Sequence, residues 1–133
     1  MTAPTAKNRE LMYERDQFCC AACGLTYQLT HQHRRATGAG GSKERPTLDD
    51  SLTLCATCNW KAEADAKFQR LALINGWKVR KWVDDPGLVP VFYSFEQAWY
   101  RLEGPRRVWI PAVVALDMMH AVYGEQYLEW RNS

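Results

Sequence analysis

Four of the five cysteines in the chain stand in two pairs, Cys20-x-x-Cys23 and Cys55-x-x-Cys58. A spacing of two residues lets both thiolates reach one ion from a tight turn, and two such pairs complete a tetrahedral zinc shell. That ligand spacing favours zinc over two unrelated buried thiol pairs or a redox CxxC, which needs a reactive thiol that zinc-bound thiolates do not offer. Cys19 rivals Cys20 for the first position, but only Cys20 has the right spacing to Cys23, so Cys19 reads as a free thiol or a core residue. Between the pairs lies His31-Gln32-His33-Arg34-Arg35. A histidine titrates near neutrality and can accept a proton at physiological pH. On a strand, His31 and His33 share a face.

The elements that position these residues follow from pattern and punctuation. Residues 5–16 read as a short helix that docks through Leu11, Met12 and Tyr13. Residues 19–30 read as a knuckle followed by a strand over 25–30, residues 36–47 as a Gly-rich loop, and 52–54 as a short strand into the second cysteine pair. Residues 59–74 contain good helix formers with no Gly or Pro, and Asn75-Gly76 is a normal stop. Alternation of Trp77, Val79 and Val83 with Lys78 and Arg80 predicts a strand, and 89–93, 98–102 and 106–110 predict three more. Pro111 opens a last helix over about 112–122, with Gly124 near its end. The expected class is α+β: residues 1–75 carry the cysteines and His31 and His33, and 76–133 form a β-rich extension with a terminal helix, the two packed as one compact domain. Trp77, Trp82, Phe92, Trp99, Trp109 and Val113 are expected to build the core of that extension, and Trp60 to be core as well.

The order CxxC, His followed by Arg-Arg, a Gly-Gly loop, an aliphatic run, CxxC and Asn resembles the HNH nucleases, in the zinc-bearing form common in phages and bacteria. The residues that carry the likeness are Cys20, Cys23, His33, Arg34, Arg35, Gly40, Gly41, Leu52, Leu54, Cys55, Cys58 and Asn59, within about residues 8–80. The resemblance implies a ββα-metal fold, a hairpin followed by a helix. It also implies that His33 is the general base for hydrolysis of a DNA phosphodiester, with a single divalent cation (Mg2+, Mn2+ or another) stabilising the leaving 3′-oxygen. Asn59 stands where the family's usual His ligates that cation. Gln32 stands where an Asp or His ligand is frequent. Asp50 falls near the family's middle Asn, where it holds the loop or binds the cation itself. His31 is a further candidate ligand, weighed against a solvent-exposed polar residue; His120 reads as a satisfied, partly buried histidine.

Composition sets the partners. The chain has 133 residues, a net charge of +2 and 47% apolar residues, enough for one folded domain and mildly basic. Near the site, Arg34, Arg35, Lys43, Arg45 and Lys61 are expected on DNA phosphates, Arg34 as the best clamp. Lys67 and Arg70 read as solvated charges. No signal peptide or membrane span is visible, which suggests a soluble cytoplasmic protein. The activity expected is a metal-dependent DNA endonuclease. The rival is an inactive zinc module of the same fold that binds DNA or a phage or host protein, as a phage accessory or inhibitor.

Overall fold

In a computed structural model, residues 3–35 and 45–133 are described. Helix α1 (Ala6–Arg15) begins at Thr5, whose hydroxyl accepts from the Asn8 N–H at 3.1 Å. It docks through Met12, which is fully buried. Strands β1 (Leu29–His33) and β2 (Ser51–Cys55) pair antiparallel, with Leu29 opposite Cys55 and His33 opposite Ser51. Every residue of β2 is buried, so this strand is covered on both faces. The chain leaves β2 directly into α2 (Ala56–Ala64), and Cys55 caps that helix, its Sγ accepting from the Cys58 N–H at 3.4 Å.

The helix expected over 59–74 is two helices, α2 and α3 (Ala66–Ile74). Asp65 divides them: its side chain accepts from the N–H groups of Lys67 and Phe68 at 3.0 and 3.1 Å, starting a new helix where side-chain capping outcompetes the continuing ladder. The strand expected from Trp77 to Val83 does not form; Val79 alone bridges to Arg35, in parallel. Gly76 turns the chain there with φ of +74°, and a Cβ at this position would lie 1.8 Å from the Pro90 carbonyl oxygen, so only glycine fits. The first strand also runs later than expected, over 29–33 instead of 25–30.

Beyond this segment β3 (Val91–Tyr93), β4 (Ala98–Glu103) and β5 (Arg106–Ile110) form an antiparallel meander in that order. Helix α4 (Ala112–Tyr123) follows, and Gly124 is a hinge into α5 (Glu125–Asn132), not the end of helical structure. The architecture is α+β. One buried cluster joins Cys20, Leu52 and Leu54 to Trp77, Val91 and Leu102, so the core crosses the expected boundary at residue 76. A second joins Leu73, Val79 and Val89 to Met119, Tyr123 and Trp130. The expected aromatic core is corrected in part: Trp77 is buried, whereas Trp60, Trp82, Trp109 and Val113 are exposed. No helix among the described residues is long and apolar enough to cross a membrane.

Candidate metal centre and the histidine end of the hairpin

Cys20 and Cys23 flank a tight turn in which the Gly24 N–H donates to the Cys20 carbonyl at 2.8 Å. Cys55 and Cys58 come from the end of β2 and the first turn of α2. The four Sγ atoms lie within 4.8 Å of one another, and those of Cys23 and Cys55 are 3.8 Å apart. Tetrahedral zinc with Zn–S bonds of ~2.3 Å spaces its sulfurs about 3.8 Å apart, whereas a disulfide needs ~2.05 Å. Burial, with repulsion from a neighbouring thiolate, pushes the Cys20 thiol up to about 11 and the Cys58 thiol higher still. Such a group resists ionising alone and favours a dication that shares the charge. The cluster can therefore hold a structural metal such as zinc. Cys19, with its Sγ 3.1 Å from the Gln17 carbonyl oxygen, stands apart from it.

The other end of the hairpin carries the histidines. His31 and His33 project to one side of β1, their ring centroids 6.2 Å apart. His33 Nε2 lies 3.1 Å from Asp50 Oδ2, and the two side chains are 10% and 4% exposed. Asp50 comes from the single turn that precedes β2 and also binds Arg35, accepting from its backbone N–H at 3.0 Å and its Nε at 3.2 Å. Its carboxylate thus fixes the chain after His33. His31 Nε2 sits 2.8 Å from Ser51 Oγ, and burial together with the neighbouring His33 lowers its pKa to about 4, keeping the ring neutral near pH 7. Asn59, in the first turn of α2, donates through Nδ2 to Thr30 Oγ1 at 2.8 Å and to the His31 carbonyl at 3.3 Å. A carbonyl can only accept, so these contacts fix the amide orientation and turn Oδ1 away.

Several expected roles change. Arg34, expected to clamp a phosphate, is 0% exposed. Its five donor hydrogens meet backbone carbonyls: Nε and Nη2 reach Gly76 at 3.0 and 2.9 Å, Nη1 reaches Asp49 and Pro86 at 2.7 and 3.1 Å, and Nη2 also reaches Val89 at 2.7 Å. A guanidinium has five N–H groups, so none remains for a phosphate or a reacting atom. Burial lowers its pKa to about 10 even with Asp50 nearby. Arg35 is likewise drawn inward, to Asp50 and to the carbonyls of Val83 and Asp84. Gln32, expected as a cation ligand, is 1% exposed, lies opposite Leu52, and meets no acceptor at Nε2 among the described residues. It alternates away from the histidine side. Arg45 is exposed and reaches the Ala3 carbonyl, Lys61 is half-buried, and Lys43, Gly40 and Gly41 lie outside the described residues. His120 is more exposed than expected and approaches Glu125 at 3.5 Å. Among the described residues the four cysteines are the only cluster of three or more His, Cys, Asp or Glu donors close enough to share an ion.

Sequence reasoning missed Ser51 and Thr30, because only strand register and helix placement bring them to His31 and Asn59. It also missed the buried trio Arg15, Asp16 and Tyr93. Asp16 accepts from Arg15, from Tyr93 at 2.7 Å and from the Thr53 N–H at 2.9 Å, tying α1 to both sheets. Comparison with known proteins finds no matching family model, no matching curated protein and no matching solved structure.

Proposed function

We propose that the chain is a DNA endonuclease of the HNH type that hydrolyses phosphodiester bonds, with a zinc-braced hairpin and helix as its frame. The observation that carries this reading is the His33–Asp50 contact of 3.1 Å at the end of a strand–strand–helix unit, with Asn59 in the first helical turn. The Asp50 carboxylate beside the His33 ring orients it and stabilises the imidazolium that forms when the ring takes a proton. The His33 ring takes a proton from water, the water oxygen bonds to phosphorus, and the bond to the 3′-oxygen breaks, the leaving oxygen being protonated from solvent. Asn59, through Oδ1, is the residue that would hold a divalent cation such as Mg2+ or Mn2+; water and the substrate phosphate supply the remaining ligands of such an ion. When bound, that ion stabilises negative charge on the phosphate and the leaving oxygen.

A second reading, a zinc module that binds DNA or a protein partner without cutting, is favoured by one observation. The Asp50 carboxylate is already engaged by His33 and Arg35, so no carboxylate there is committed to a cation. Incubation of supercoiled plasmid with magnesium, manganese or nickel separates the two. The nuclease nicks or cuts the plasmid, and His33→Ala lowers the rate by roughly 10² to 10⁴ with zinc content unchanged. A wild-type protein that binds DNA but cuts with none of these ions, and binds equally as His33→Ala, is the binding module.

A further inference from the structure

Two adjoining grooves, formed by α3, α5 and residues 78–82, are lined by cations and, among the described residues, by no Asp or Glu side chain. One, about 700 Å³, is walled by Arg70, Lys78, Arg80, Lys81 and Trp82. The other, about 530 Å³, shares Arg70 and adds Lys67 and Arg131 above Leu71 and Ile74. In a chain with a net charge of only +2, this is a marked segregation of charge. Lys78 is met by Glu63 at 3.6 Å from outside the lining. The Arg80 guanidinium lies 5.4 Å from the centroid of the Trp130 ring, which braces it. Trp82 is 63% exposed and touches Tyr123 edge to face, at 5.6 Å between centroids. The groove wall is fixed to the histidine end of the hairpin: the Val79 N–H donates to the Arg34 carbonyl at 2.9 Å, and Val79 bridges to Arg35.

We propose that this face is a track for single-stranded nucleic acid, in which the cations take successive phosphates and Trp82 stacks on an unpaired base. The proposal rests on the nucleic-acid reading above and gives it a substrate class, DNA with an unpaired segment beside the cut site. A cationic groove that carries an exposed aromatic is what single strands need, because every unpaired base offers a π-face. A duplex keeps its bases stacked inside, and an acidic peptide satisfies the cations but gives the indole no ring.

Fluorescence anisotropy tests this in buffer without added divalent ions or chelator, so that zinc is retained and no strand is cut. The probes are labelled oligo(dT), a duplex of equal length, and poly-Glu as competitor. The expected result is tighter binding of oligo(dT) than of duplex, weakened on the order of 10-fold or more by Trp82→Ala and largely retained by Trp82→Phe. Arg70→Ala/Lys81→Ala should reduce the salt slope by about 1.4, two phosphates at ~0.7 each. Variants are compared at equal zinc content and equal circular dichroism. The track is overturned if oligo(dT) binds and these variants match wild type, or if poly-Glu competes as well as DNA. If plasmid is never cut yet oligo(dT) binds with this dependence, the track stands and the cutting reading fails. If no nucleic acid binds at all, both fail.

Discussion

At one end of the β1–β2 hairpin Leu29 faces Cys55, and at the other His33 faces Ser51. The cysteine end gathers four sulfurs within 4.8 Å, two with raised pKa values, and surrounds them with apolar neighbours such as Leu52, Leu54 and Val91. The histidine end gathers six polar side chains and pairs each of them within the protein: His33 to Asp50, Asp50 to Arg35, His31 to Ser51, and Arg34 to backbone carbonyls of four residues. Donor atoms left facing one another call for an ion, because crowding like donors is unfavourable without one. Donor atoms already paired are organised to hold a side chain in one orientation. The hairpin thus joins a centre that can hold a structural metal with a centre that is assembled by the protein's own hydrogen bonds.

The largest expected effect breaks the cysteine end. Structural zinc contributes about 10–16 kcal/mol in small zinc-binding peptides, as much as the whole stability of a typical domain, about 5–15 kcal/mol. Cys55→Ser/Cys58→Ser should therefore unfold the chain, with near-UV circular dichroism lost and zinc stoichiometry falling from one towards zero. Cys19→Ser should keep both. A folded, zinc-free double variant would show that this corner is held by apolar packing alone. The next effect breaks the histidine end without touching zinc. Arg34→Met strips donors from the carbonyls of Asp49, Gly76, Pro86 and Val89, and each buried group left unpaired costs about 1–3 kcal/mol. Urea denaturation should register a loss of at least about 4 kcal/mol with zinc still bound at low temperature. A loss under about 1 kcal/mol would mean that water replaces the guanidinium, and the histidine end would no longer be a protein-assembled centre.

The two ends also differ in what the sequence discloses. CxxC spacing is local geometry, so Cys20, Cys23, Cys55 and Cys58 were legible before any fold was known, and strand alternation put His31 and His33 on one side. The burial of Arg34 was not legible. Its acceptors come from residues 49, 76, 86 and 89, and beside a histidine it reads as a phosphate ligand. Asp50 is placed by likeness to the family's middle Asn, but its part in holding the loop depends on contacts with residues 33 and 35 across the hairpin. The same limit explains the elements misjudged. Alternation over 77–83 promised a strand, yet Arg34 already occupies the Gly76 carbonyl and only Val79 finds a strand partner. Asp65 looked like an ordinary helical residue until its side chain capped α3. Gly124 looked like a final stop, although Tyr127 and Trp130, three residues apart, bury one side of a further helix.

A milder change asks whether the protein-made centre is organised for chemistry. Asp50→Asn preserves shape and the capacity to accept from Arg35 but removes the charge that holds His33 and its imidazolium. On the nuclease reading it should lower cleavage by less than His33→Ala does, about 10-fold to 10³-fold, at unchanged zinc content. Adding His33→Ala to Asp50→Asn should cost little more than His33→Ala alone, since both act through one proton transfer. Fully additive losses would place Asp50 in a role separate from orienting the base.

The smallest expected effect is a pH dependence set by His31. Burial first, and the nearby His33 second, lower its folded pKa from the ordinary 6.5 to about 4. The sign follows from where protons bind. Above about pH 6.5 the ring is neutral in both states and contributes no pH dependence. Between about 6.5 and 4 the unfolded chain binds a proton that the folded chain refuses, so stability falls as pH falls through that window. Zinc held by the four cysteines would be released in acid as the thiolates protonate, so the comparison is between wild type and His31→Gln at equal zinc content. The glutamine can still donate towards Ser51 Oγ but has no proton to gain. The wild-type midpoint of urea unfolding should drop more steeply than the variant's from pH 7 to pH 5, the two curves running parallel above pH 7. If the variant falls just as steeply, the acid sensitivity belongs to the cysteine end alone, and His31 is exposed enough in solution to be protonated without opening the hairpin.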